Sequence, residues 1–70
     1  MAPYWLHRRV VIRDRRSQGL YGIVAVQLGM TRQESSVELL AVQDFATASR
    51  QMVVRVGLSD IEAHFEPTPQ

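Results

Sequence analysis

The residues of this chain best equipped for chemistry are arginines. Arg8, Arg9, Arg13, Arg15 and Arg16 crowd the first part of the chain, and all eight basic residues of the sequence are arginine, none lysine. A guanidinium is permanently charged and presents a planar fork of donors that suits phosphate, carboxylate and aromatic partners. Tyr21 and Trp5 add flat faces on which a base can stack. As large aromatics in a small domain they also suit the core, or a clamp on the N-terminal segment. Arg8, Arg9, Arg13, Arg15, Arg16 and Tyr21 therefore form a candidate contact surface for nucleic acid or a partner protein. A footprint of a few phosphates predicts weak binding that falls as salt rises. The same residues also read as a solvated loop that pairs with the acidic second half of the chain, and a GC-rich coding sequence alone would produce the arginine bias.

Catalytic chemistry finds little support. Asp60 and His64 are four apart, which on a helix brings both to one face. Zinc, however, needs three or four ligands, and the only other histidine is His7. A local ion pair accounts for the spacing. Ser59, Asp60 and His64 hold the residue types of a hydrolase triad but lie too close in sequence to converge from separate elements. No Gly-x-x-x-x-Gly-Lys segment is present to cradle a phosphate, and there is no cysteine. The expectation is a non-enzymatic chain with no cofactor and no metal.

These groups must be positioned by a single small domain. The chain has 70 residues, 46% hydrophobic and 21% charged, a globular composition rather than a disordered one. A domain of this size buries only about 60% of the surface its unfolded chain exposes, so its stability is modest. Lack of cysteine and of any targeting or membrane-spanning stretch leads to the expectation of a cytoplasmic protein that does not enter a membrane. Charge is lopsided: residues 1–33 carry six arginines against Asp14 alone, and residues 34–70 carry six acids against Arg50 and Arg55.

Residues 1–7 read as an arm anchored by Trp5. The β-branched Val10, Val11 and Ile12 predict a strand over Arg8 to Arg13. A polar loop follows from Asp14 to Gly19, closed by a glycine able to take positive φ. A second strand is predicted over Tyr21 to Leu28, with apolar residues on both faces. The stretch from Gly29 to Val56 supports two readings. One is a hairpin, with strands at Val37 to Gln43 and Gln51 to Val56 around a loop at Phe45 to Ser49. The other is a helix at about 32–51, opened by a capping box at Thr31 and Glu34. The hairpin is favoured, because such a helix leaves Leu39 and Val42 on its wet side and Met52 to Val56 needs an antiparallel neighbour. A helical turn with a second capping box is predicted at Ser59 to Glu62, with Leu58 as its staple. Phe65 then closes the core, the domain ends at residue 66, and residues 67–70 form a frayed tail.

That order of elements resembles the SH3-like barrels, which implies an all-β fold of five strands with a short helical turn near the C-terminus. The helical reading of 32–51 gives the alternative, an α+β arrangement of order ββαβ. Within residues 10–26, Val10-x-Ile12 followed by Gly19-Leu20-Tyr21-Gly22-Ile23-Val24 is similar to the KOW motif of ribosomal and transcription-elongation proteins. The resemblance implies that Gly19 lets the loop re-enter the sheet, that Gly22 permits close strand approach, and that Val24 points inward. It further implies that the arginine loop meets RNA, DNA or protein.

Two functional expectations follow, a binding module that meets nucleic acid or a ribonucleoprotein through the arginine loop, and a protein-interaction or assembly subunit. The second draws on apolar residues on both sheet faces and on the opposite charge of the two halves, which together favour docking or self-association. A more distant resemblance is to the plasmid-borne dihydrofolate reductases, similar in size and barrel type. Their Val-Gln-Ile-Tyr segment is missing; the nearest position reads Met52-Val53-Val54-Arg55.

Overall fold

The computed structural model describes residues 3–47 and 50–69, of Arg50 the backbone only. Met1 and Ala2 of the expected arm, Ala48 and Ser49 of the expected loop, and Gln70 lie outside the described residues. Five antiparallel strands form one sheet: β1 (Val11–Asp14), β2 (Leu20–Gln27), β3 (Ser36–Ala41), β4 (Val54–Gly57) and β5 (Phe65–Pro67). One α-helix, α1 (Leu58–His64), connects β4 to β5. The strand order is β4-β3-β2-β1-β5, so the two strands flanking α1 are the two edges of the sheet. The helix packs on both. The fold is thus all-β with a short helix near the C-terminus, and the order of elements is the one read from the sequence. No helix among the described residues is long and apolar enough to cross a membrane.

Strand alternation divides the side chains into two faces. Ile12 of β1, Tyr21 and Ile23 of β2, Val37 and Leu39 of β3, and Phe65 of β5 point inward, where Ile61 of α1 meets them. Ile12, Val37 and Ile61 are fully buried. Trp5 and Leu6 pack against this core from the N-terminal segment. On the outer face the ring of Phe45 lies over Gly22, which sits opposite Leu40; a Cβ on Gly22 would run into the ring. Leu39 and Leu40 are both buried, one on each face. Both faces are therefore covered, which explains why these two strands lack a clean polar alternation.

Several local expectations are corrected. The register of β2 shifts between Ile23 and Ala25, so Val24 falls at a bulge and Val26 takes the inward position instead. The first strand begins at Val11 rather than Arg8. Arg9 has φ 75° and donates its N–H to Ile23 O, while Ile23 N–H donates to Val10 O. Two residues thus answer one, a bulge whose first member is left-handed. In the β1–β2 loop the left-handed residue is Gln18 (φ 66°) and not Gly19, because Gln18 N–H closes a turn onto Asp14 O.

The helix at 32–51 does not form. Thr31 and Glu34 do make the reciprocal capping box, yet it caps a single 3-10 turn, Arg32–Glu34, before β3 begins. The helix-forming residues after β3 make two further 3-10 segments, Val42–Thr47 and Arg50–Met52, which take Val42 and Gln43 out of the first expected strand of the hairpin and Gln51 and Met52 out of the second. The second capping box is absent. α1 starts one residue earlier, with Gly57 as N-cap and no side-chain cap, and Glu62 turns instead to an ion pair with Arg32. At the C-terminus β5 includes Pro67, and Thr68 extends the pairing through its N–H and hydroxyl, both donating to Val11 O. Ordered pairing thus runs past residue 66.

Candidate functional site

The arginines singled out by the sequence do not converge. Arg13 lies on the outer face of β1, with its guanidinium 3.6 Å from Glu66 of β5. Arg15 serves the C-terminus of α1: its backbone N–H donates to His64 O at 2.8 Å and its guanidinium donates to Ala63 O. Those carbonyls have no partner within the helix, and a cation there also complements the helix dipole. Arg16 faces the other way, toward Asp14. Its Nε and second terminal nitrogen contact the two carboxylate oxygens at 3.1 and 3.2 Å, and its backbone N–H donates to Oδ1 at 2.9 Å. The bond from the Arg16 side chain, then that from its backbone, hold the Asp14 carboxyl below the usual aspartate range. Arg8 and Arg9 sit in the turn before β1, exposed, with no side-chain partner among the described residues. Tyr21 is half-buried and packs edge-to-face on Phe65, ring centroids 6.0 Å apart. Gly19, expected as the hinge of the loop, has ordinary φ and lies against Ser17 and Tyr21.

The structure brings a different group together. A cleft of about 390 Å³ runs along β4 and is lined by all four of its residues, Val54, Arg55, Val56 and Gly57. Its apolar floor is Tyr21, Leu39 and Phe65, and Asp14, Arg16 and Asp60 stand at its rim. Asp60 comes from the first turn of α1, while His64, four residues on, ends that helix. A volume of this size is at the lower end of the range for ligand clefts.

Backbone groups make this cleft unlike a simple apolar hollow. Leu58 N–H donates to Ser35 O at 3.1 Å, one step beyond the ladder pairs Ser36↔Gly57, Val37↔Val56, Glu38↔Arg55 and Leu39↔Val54. In an antiparallel ladder, bonded and non-bonded pairs alternate. Val56 and Val54 therefore turn their backbone groups to β3, and Arg55 and Gly57 turn theirs outward. Gly57 is the N-cap of α1, so its C=O serves the helix. What remains without a partner among the described residues is the N–H and C=O of Arg55 and the N–H of Gly57. Val54 beside them is half exposed.

The sequence reading missed Val54, Val56 and Phe65 as site residues because it took them as purely structural, and it weighed Asp60 only as a partner of His64. One available signal was Asp14, since an aspartate opening a hairpin loop commonly bonds a backbone N–H two residues on, as it does here to Arg16. Comparison with protein-family models, with curated proteins and with solved structures yields no match for this chain.

Proposed function

We propose that this chain is a non-catalytic protein-interaction module that takes up an extended segment of a partner protein as an added strand along β4. The observation that carries this reading is the coincidence of unpaired edge groups on Arg55 and Gly57 with an apolar-floored cleft lined by the whole of β4. Strand addition works this way: main-chain bonds supply attachment, and pockets for alternate side chains supply selectivity. Three backbone bonds contribute about 0.5–1.5 kcal/mol each. Two apolar side chains seated against Tyr21, Leu39 and Phe65 add about 1.5–3 kcal/mol apiece when fully buried. After the cost of ordering the segment, micromolar to millimolar affinity is the scale to expect.

Selection of displayed random ten-residue peptides on the immobilised chain tests the reading. Enrichment of sequences with an apolar residue at every second position, lost when Val54→Lys puts a charge on the β4 side of the cleft, supports it. A second reading, contact with nucleic acid, rests on Arg8 and Arg9, exposed and without side-chain partners among the described residues. Absence of peptide enrichment, together with binding of mixed oligonucleotides at low salt that Arg8→Ala and Arg9→Ala abolish, overturns the first reading for the second.

A further inference from the structure

We infer that the segment accepted along β4 is acidic as well as apolar, carrying carboxylate side chains between the residues that enter the cleft. The inference rests on the strand-addition reading above and adds the chemistry of the partner. The cleft and the partners of its arginines hold two guanidiniums, of Arg16 and Arg55, and three carboxylates, of Asp14, Glu38 and Asp60, so the case rests on accessibility and not on formal charge. Arg16 and Arg55 keep 59% and 65% of their side-chain surface exposed, whereas the carboxylates that face them, Asp14 and Glu38, keep only 12% and 26%. Each carboxylate is thus more covered than the arginine it pairs with. Asp60 is the one exposed acid at the rim; the Arg16 guanidinium is held protonated first by its hydrogen bond to Asp14 and only in smaller part by the charge of Asp60. An incoming strand therefore meets the exposed guanidinium of Arg55 on its outer face, with Arg16 at the rim of the cleft.

Register sharpens the pattern. Val54 and Val56 point into the cleft, so residues paired with them on the added strand also point inward and are apolar. The residue paired with Arg55 points to the outer face, directly opposite an exposed guanidinium, where an opposite charge is favoured and a like charge is not. Arg55 and its neighbour Glu38, 3.5 Å apart, leave room for a second carboxylate on the fork.

Three synthetic peptides separate this inference from the reading beneath it: strictly alternating Glu/Val, Thr/Val and Lys/Val octamers, each labelled and titrated by fluorescence anisotropy. The expected order of affinity is Glu over Thr over Lys, with at least a tenfold gap between the first and last that narrows as salt is raised. Arg55→Ala, which keeps the backbone N–H, is expected to bring the Glu peptide down to the level of the Thr peptide and to leave the Thr peptide unchanged. Equal or tighter binding of the Lys peptide overturns the acidic preference while strand addition stands. Binding of none of the three removes strand addition itself, and the preference with it.

Discussion

The two edges of the sheet are built oppositely. β5 offers an approaching strand no N–H at all. Thr68 N–H bonds to Val11 O, which by alternation turns the backbone groups of Phe65 and Pro67 outward; Phe65 N–H is spent on Ile61 O as the cap of α1, and proline has none. β4 leaves the N–H groups of Arg55 and Gly57 open and has no proline. Natural sheets guard their edges with prolines, charges and bulges because an unguarded edge recruits other strands. One edge here follows that rule and the other does not, although the same helix packs on both. The difference teaches that exposure of the β4 edge is local: it comes from two residues in β4, not from a sheet too small to cover itself.

The largest predicted effect breaks the comparison by removing what both edges share. Ile61 is fully buried where α1 meets the sheet, and Ile61→Ala is expected to cost about 2–5 kcal/mol in urea unfolding, a large part of the stability of so small a domain. Next, Arg55→Pro removes an N–H that the β3 ladder does not use. It is expected to lower affinity for selected peptides at least tenfold while unfolding stability falls by only about 1 kcal/mol, since proline is tolerated on edge strands.

The converse change, Pro67→Val, gives β5 an outward N–H and makes the guarded edge resemble the open one. Sedimentation is expected to show association that grows with concentration, with stability lowered by about 0.4–1 kcal/mol through the freer unfolded chain.

The smallest effect concerns the rim. The Asp14 carboxyl titrates lower in the folded chain than in the unfolded one, so its contribution is present above the ordinary aspartate range and is lost as pH falls through the folded value. Asp14→Asn is expected to be less stable at neutral pH, with the gap from the parent chain shrinking below about pH 4.

Much of the fold was legible because patterning at the level of whole elements was unambiguous. A helix over 32–51 leaves Leu39 and Val42 on its wet side, and that, with the need of Met52 to Val56 for a neighbour, decided the hairpin. Leu39 is indeed buried, beside Leu40 on the other face, whereas Val42 stays exposed past the end of β3. Local signals misled where tertiary contacts overrode them. Thr31 and Glu34 cap a turn of three residues, since Ser35 is tied by hydrogen bonds to Gly29 N–H and Thr31 O and leads into β3. Glu62 cannot cap α1 because Arg32 claims it. The bulge at Val24 leaves no mark in a run that is apolar on both sides.

The site was less legible than the fold. A run of arginines is visible in a sequence, but its neutralisation by Asp14, Glu66 and the end of α1 depends on which elements become neighbours. The cleft is assembled from all five strands, the helix and the β1–β2 loop, and the property that distinguishes it, the direction of two backbone N–H groups, has no signature in side-chain type.

Amide hydrogen exchange, read residue by residue with and without a peptide selected on the chain, tests the central claim most directly. The Arg55 and Gly57 amides are predicted to exchange quickly in the free chain and to slow at least tenfold on binding, while the Val54 and Val56 amides, bonded to β3, are slow throughout. Unchanged exchange at Arg55 and Gly57 with protection appearing at β5 or in the Arg8–Arg9 turn would contradict it.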